Sequence, residues 1–257
     1  MNELEKYYNK FNEDKRLLSR HGQVEFFVAT HYINEVIGSR KNLNIIDIGA
    51  GTGRYSLELL NKGHNVTAVE LVNKNVSQIK MKSDKIKAMQ GDALNLKKFK
   101  DNTFDIALLF GPLYHLFNEK DKLKAIEEAK RIVKPNGYIL IMYLTNEYAV
   151  VTYALKEGHL RECLENGMLD SNFITHAETK DLYSYVRIED INNLKEKTGL
   201  DRYKIVGVDG PTDYIRPVIN NLTEEDFETY KKYVLLLAER QDIIGASSHI
   251  MDILKKD

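Results

Sequence analysis

The chain has 257 residues, with 37 Lys and Arg against 38 Asp and Glu and a single cysteine. That length can bury a full core and fits one domain with an elaboration, or one and a half domains. Balanced charge gives no global field towards nucleic acid or an anionic membrane and favours a small or neutral substrate. Lone Cys163 excludes an intramolecular disulfide framework and a cysteine-based zinc site, as suits a reducing cytosol.

The opening MNELEKYYNKFNEDKRLL is polar and charged where a signal peptide has an apolar centre. No apolar run approaches the roughly 20 residues that span a bilayer. A cytoplasmic protein is expected, monomeric or homodimeric. Two helices, over 3–12 and 23–36, should meet around Ser19-Arg20-His21-Gly22. From Asn44 onward, short β-branched runs alternate with charged helical patterns, which predicts βαβ units on a parallel sheet. The expected strands are 44–48, 65–70, 86–90, 104–110 and 138–144, with helices over 54–62, 73–82 and 119–133. In the last helix Leu123, Ile126, Ala129, Ile132 and Val133 recur at helical spacing, and Pro135-Asn136-Gly137 should turn the chain into the next strand. Beyond the fifth strand, 146–167 reads as helical, 183–187 as a short strand and 189–198 as a helix. A strand over 202–208, a long helix over 223–240 and a final strand over 248–254 complete the pattern. The segments expected are a helical leader (1–40), a cofactor-binding core (41–145), a helical lid or substrate insertion (146–200) and closing strands with an intervening helix (201–257).

The first strand runs into Asp47-Ile48-Gly49-Ala50-Gly51-Thr52-Gly53-Arg54. Glycines permit a tight turn and close approach of a ligand to the backbone, and the following helix offers unpaired N–H groups. A dinucleotide fingerprint would need a small residue where Arg54 stands, and the carboxylate two residues before the first glycine is a poor neighbour for pyrophosphate but a good one for a cation. Glu70 ends the second strand, where it could accept from ribose hydroxyls. Asp92 follows the third, where it could accept from an exocyclic amine. Acids at three successive strand ends line the edge where open parallel sheets bind ligands.

The succession DIGAGTGR, AVE, QGDAL, FDIALLFGPLYHL and VKPNGYILI resembles the class I S-adenosylmethionine-dependent methyltransferases over about residues 40–145. The resemblance implies an α/β, Rossmann-like fold: a seven-stranded, mostly parallel sheet with helices on both faces and its last strand inserted antiparallel. It also implies S-adenosylmethionine as cofactor, S-adenosylhomocysteine as product and no metal. Asp47 and the loop Gly49, Ala50, Gly51 and Gly53 would hold the methionine end, Glu70 with Leu71 the ribose, and Asp92 with Ala93 the adenine. Phe110 and Gly111 would complete that site. The segment FGPLYHL stands where amino-methylating enzymes of nucleic acid or protein often show (D/N)-P-P-(Y/F), and Gly111 and Leu113 depart from that pattern. It is similar instead to a bacterial small-molecule-type subgroup.

Tyr114 is then a wall or orienter of the methyl donor, and His115 is either a base, with an ordinary pKa near ~6.5, or a loop-capping residue. The leader resembles one that closes over the cofactor in the same subgroup, making Tyr7, Tyr8, Arg16, Arg20 and His21 candidates. Tyr8, Arg20, Tyr114, His115 and Tyr185 are the candidate substrate contacts. In the lid, His159, His176, Tyr153, Tyr183, Arg187, Tyr214 and Arg216 could also line a pocket. The lysines over 80–87 and 97–100 alternate with acids and lack aromatic partners, which reads as a solvated face rather than a nucleic-acid site. The expected activity is methyl transfer to an O, N or C nucleophile of a small molecule. The alternatives are an RNA or protein acceptor, a non-catalytic cofactor-binding module, and a nicotinamide-dependent oxidoreductase, which Arg54 and the glycine spacing disfavour.

Overall fold

The computed structural model describes residues 18–257; the expected helix over 3–12, with Tyr7 and Tyr8, and Arg16 lie outside them. Helix α1 (Arg20–Ile37) starts at Ser19, whose Oγ accepts from the Gly22 N–H at 3.4 Å. The stretch expected to join two helices is thus the cap and first turn of one, because the hydroxyl satisfies a donor that a helix start leaves open.

Strand β1 (Asn44–Ile48) carries no polar alternation because both its faces are covered. Ile45 joins a core with Val28, Leu59 and Leu108 on one side of the sheet, while Ile46 and Ile48 join Ala107, Leu109 and Ile139 on the other. Each such fully buried isoleucine contributes about 1.5–3 kcal/mol. The chain continues through α2 (Arg54–Asn61), β2 (Asn65–Glu70), α3 (Asn73–Lys82), β3 (Lys87–Gln90), β4 (Phe104–Leu109), a 3₁₀ turn (Pro112–His115) and α4 (Glu119–Ile132). Helix α4 is capped by Asn118, whose Oδ1 accepts from the Asp121 N–H at 2.8 Å. Strand β5 (Val133–Leu144) begins five residues earlier than the pattern suggests. Pro135-Asn136-Gly137 interrupts its register against β4 without ending the strand. A Cβ on Gly137 would lie 2.5 Å from Val133 Cγ1, so only glycine fits that bend.

Seven strands form one sheet in the order β3-β2-β1-β4-β5-β7-β6. Strand β6 (Asp201–Gly207) and strand β7 (His249–Lys255) complete it, with β7 antiparallel to both neighbours. Asp252 on β7 is fully buried and held by Arg202 on β6 through bonds of 2.7 and 2.9 Å, which fixes the register of that pair. The C-terminal ends of β1, β2, β3 and β4 share one edge, as a parallel sheet requires.

Between β5 and β6 the helical region expected over 146–167 is divided into α5 (Asn146–Ala149), a π-helical stretch (Val150–Lys156) and α6 (Leu160–Glu165). The expected strand over 183–187 is absent; its one sheet-like contact is a bridge between Thr145 and Val186. Helix α7 (Ile188–Thr198) buries Ile191 and Leu194 with Ala125 and Ile126 of α4, so it belongs to the helical layer of the sheet. The segment standing outside the layers is therefore 146–187. Helices α8 (Arg216–Asn220) and α9 (Glu224–Leu237) lie between β6 and β7 in the chain. No helix among the described residues is long and apolar enough to cross a membrane.

Candidate active site

The turn after β1 is built around glycine. Gly49, Gly51 and Gly53 have φ values of 75°, 53° and 84°, in the left-handed region that side chains avoid. At Gly49 space is limiting as well, because a Cβ would lie 2.6 Å from Pro112 Cδ in the 3₁₀ turn after β4. The glycine loop and the GPLYHL segment thus touch directly.

Two carboxylates brace this loop. Asp47 is buried, and its Oδ2 accepts from Ser56 Oγ at 2.6 Å. Burial, only partly offset by Ser56, pushes its pKa up to about 6. Glu70 accepts from the Gly51 N–H at 2.9 Å and the Val72 N–H at 2.8 Å. Burial pushes its pKa up too; those N–H groups and Asn75 oppose the shift, while the neighbouring Asp47 adds to it. Asp92 is exposed, and its Oδ1 accepts from the Leu94 N–H at 2.9 Å.

A cavity of about 330 Å³ lies along these strand ends. Its wall takes Gly49, Gly51, Glu70, Leu71, Asp92, Ala93, Phe110, Gly111, Tyr114 and His115, which brings together most of the residues that the sequence nominates for cofactor and chemistry. A recess of about 50 Å³ adjoins it and takes Asp47 and Ala50. Gly53 lines neither; it opens α2 in a left-handed turn, and a Cβ there would lie 2.8 Å from Ile79 Cγ1. Among the described residues the larger cavity presents Glu70, Asp92 and Asp181 but no lysine or arginine. Among the described residues of the recess Arg54 is the one lysine or arginine, and its guanidinium stacks 3.9 Å above the Phe26 ring. Such a wall suits a cationic group and opposes a pyrophosphate.

The aromatic pair after β4 is partly buried. His115 Nδ1 lies 2.8 Å from the Leu182 carbonyl, an acceptor only, so Nδ1 carries the proton and Nε2 the lone pair. Burial lowers the His115 pKa to about 4, against the pull of that carbonyl. The Tyr114, His115 and Tyr183 rings form a cluster with centroids 4.9–5.8 Å apart.

The 146–187 segment is tied to this rim. The Ser184 N–H donates to the Tyr114 carbonyl at 2.7 Å, and buried Lys122 of α4 donates to Ser184 Oγ at 2.9 Å and to the Leu116 carbonyl. Burial lowers the Lys122 pKa to about 8. Tyr185 faces a second pocket inside the segment, as do Tyr153, Tyr183 and His176. His159 is stacked on Tyr153 and paired with Glu162. Arg187 is held by Glu147, and Arg216 by Asp213.

Arg20, nominated for the substrate, lies elsewhere: its guanidinium sits 4.7 Å above the Phe227 ring and 3.4 Å from Glu224, against the C-terminal helices. His21 is at the cap of α1 with Ser19. Several wall residues escaped the sequence reading, among them Asn75, Thr179, Asp181, Leu182 and Glu25. Thr179 and Leu182 sit in a segment without local pattern. Glu25 of α1 is buried in the recess beside Asp47. Its signal was a carboxylate inside the apolar stripe of Val24, Val28 and Ala29.

A seven-stranded sheet with its seventh strand inserted antiparallel, carrying acids and a glycine loop at its C-terminal edge, has the architecture of class I methyltransferases. Residues 46–141 match the family described as "Methyltransferase domain". Residues 46–141 thus carry a methyltransferase domain, set in a fold shared with S-adenosylmethionine-dependent methyltransferases. The ubiquinone/menaquinone biosynthesis C-methyltransferase of Idiomarina loihiensis is 32% identical over 121 residues, covering 43% of this chain and 46% of that protein. The tRNA (carboxymethyluridine(34)-5-O)-methyltransferase of Arabidopsis thaliana is 36% identical over 100 residues, covering 38% of this chain and 23% of that protein. The chain spans 42–63% of the length of the first curated relatives it matches. Among solved structures, the methyltransferase bound to the Trm112 activator from Haloferax volcanii superposes with a TM-score of 0.64 at 15% identity, over 99% of this chain and 98% of that one. At that identity the likeness is one of fold.

Proposed function

We propose that the protein transfers a methyl group from S-adenosylmethionine to an O, N or C nucleophile of a small molecule. The observation that carries this reading is the pair of buried carboxylates flanking a glycine loop: Glu70 in the wall of the larger cavity, where no described residue is a lysine or arginine, and Asp47 in the adjoining recess. Two acids held against their desolvation are best relieved by a cation, and the family's cofactor brings a sulfonium and an ammonium. In this reading Asp47, with Glu25 behind it, faces the methionine end, Glu70 and Leu71 the ribose, and Asp92 and Ala93 the adenine. The bound cofactor supplies an activated methyl, and the protein's task is to hold a nucleophile in line with it. Such positioning can contribute on the order of 7–11 kcal/mol.

A small acceptor is supported by Thr179, Asp181 and Leu182, which add the 146–187 segment to the cavity wall. Net charge of −1 and the Gly111 departure from (D/N)-P-P-(Y/F) point the same way. Tyr114 serves as a wall for the methyl donor. His115 acts as a neutral orienting group, because proton uptake by an imidazole with a pKa of about 4 is unfavourable at neutral pH.

Isothermal titration tests the assignment. S-Adenosylmethionine and S-adenosylhomocysteine should bind, Glu70→Ala should weaken both by at least about tenfold, equivalent to about 1.4 kcal/mol, and NAD should not bind. Binding of NAD alone overturns the reading.

A further inference from the structure

The segment 146–187 holds a pocket of about 260 Å³, close to the lower end of ordinary ligand sites and large enough for a one- or two-ring molecule. Tyr153, Tyr183, Tyr185, Cys163, Met168 and Leu169 give it an aromatic and apolar wall. It is not remote from the cofactor cavity: Asp181 and Leu182 line both. The two cavities meet at these residues, and the His115 Nδ1–H donation to the Leu182 carbonyl holds the junction from the cofactor side.

Among the described residues Asp181 is the one carboxylate that lines this pocket, and no lysine or arginine does. Asp181 sits at the junction, with Oδ2 engaged by the Glu178 N–H at 2.7 Å. The charges of Glu157 and Asp181 act on both Tyr153 and Tyr185, raising each phenol's pKa in addition to burial, and Glu162 acts on Tyr153. Of the cations nearby in sequence, Arg187 is matched by Glu147 at 3.0 Å and Lys180 by Glu178 at 3.0 Å, and Lys156 and Arg161 are not among the lining residues. A carboxylate or phosphate would enter this field uncompensated, whereas an ammonium would gain both the field and the faces of the tyrosine rings.

We propose that this pocket receives the methyl acceptor and that the acceptor is a small amine with an aromatic or other apolar body and no anionic group. The body lies among Tyr153, Tyr183 and Tyr185, and the nitrogen lies towards Asp181, at the opening to the cofactor cavity. This rests on the methyl-transfer reading of that cavity. The chemistry balances without a further reactant. The ammonium releases one proton to solvent, and the freed lone pair forms the N–C bond. The C–S bond breaks with its electrons on sulfur, leaving a protonated N-methylamine and S-adenosylhomocysteine.

The test is titration of the full chain, saturated with S-adenosylhomocysteine, with three probes of one shape: 2-phenylethylamine, 2-phenylethanol and 3-phenylpropionate. The amine should bind at least about tenfold more tightly than the alcohol, and the carboxylate more weakly than either. Asp181→Asn should weaken the amine about tenfold and leave the alcohol unchanged. Ala177→Trp, which fills the pocket from a loop position, should remove binding of both while S-adenosylhomocysteine still binds. The proposal is overturned if the carboxylate binds as well as the amine, if Asp181→Asn leaves the amine unaffected, or if none of the probes binds to protein that holds S-adenosylhomocysteine. Failure to bind S-adenosylhomocysteine would instead remove the methyl-transfer reading beneath it.

Discussion

The sheet and the 146–187 segment solve the same problem, placing side chains around a ligand, by opposite means. In the sheet each site residue stands at a strand end whose register is set by several neighbours: Asp47 is paired in register with both Ala68 and Leu108. The segment has one bridge to the sheet, a helix broken into α, π and α turns, and exposed Tyr153, Leu155 and Phe173. It is held to the rim mainly by polar ties, from Lys122, Tyr114 and His115. A site fixed by a sheet suits a ligand shared by many proteins, and one hung on a few polar ties can change its pocket without unsettling the core.

The sharpest way to break the comparison is to load both regions with the same small insult. Gly49 and Gly167 have similar left-handed φ values, 75° and 71°, but a Cβ on Gly49 meets Pro112 Cδ at 2.6 Å and one on Gly167 meets nothing within 4 Å. Gly167→Ala should cost only the backbone term, about 1 kcal/mol. Gly49→Ala adds overpacking against a ring that cannot rotate away, for a total of about 2–4 kcal/mol. Thermal unfolding should show the difference as about 2–4 °C against about 5–15 °C. Equal shifts would mean that the glycine loop yields as easily as the lid.

That difference also explains how much could be read from residues alone. The strands over Asn44–Ile48 and Asn65–Glu70 and the helix over Asn73–Lys82 were legible to the residue, because β-branched runs and helical spacing act locally and the sheet agrees with them. Asp47, Glu70 and Asp92 were legible because topology puts strand ends on one edge. Val133 to Gly137 misled because Pro and Gly ordinarily end an element, whereas here the strand keeps its course through a register shift. The helical character expected over 146–167 is present but broken, and the strand expected over 183–187 is absent, because this segment's conformation depends on ties from distant residues such as Lys122. Glu25 went unnoticed because one acid in an apolar stripe reads as a tolerated surface charge until the partner element is known.

Lys122 provides the second test. Its Nζ bonds Ser184 and Leu116, and burial lowers its pKa to about 8. Lys122→Met keeps the aliphatic stem and removes both bonds, while Ser184 Oγ still reaches the Leu116 carbonyl at 2.8 Å. The loss should be local: amide exchange over 177–187 should quicken about tenfold, about 1.4 kcal/mol of opening free energy, with β1 and β4 unchanged. The sign with pH follows from the depressed value. Between about 8 and the ordinary 10.5 the unfolded chain holds more protons at this site than the folded one, so stability rises with pH there. The methionine variant should lack that rise, and a rise of the same size in both proteins would clear Lys122 of the role.

The smallest effect on stability is expected at Asp47, and its sign is the informative part. Burial raises the Asp47 pKa from 3.8 to about 6, so between those values the folded protein holds more protons than the unfolded chain and loses stability as pH rises. At neutral pH the ionised carboxylate is a cost to the empty protein, repaid only when a cation arrives. Asp47→Asn retains an oxygen for Ser56 Oγ and removes the charge. The unliganded variant should be about 1 kcal/mol more stable at pH 7, with its stability flatter between pH 4 and 6. Its affinity for S-adenosylmethionine should fall by about tenfold or more, so that added cofactor raises its melting temperature less than it raises that of the parent chain. Opposite signs for stability and affinity would locate the strain of the cofactor site in the sheet itself. If both fall together, Asp47 is a structural residue, and the charge that awaits the cofactor must be sought at Glu70 and Glu25.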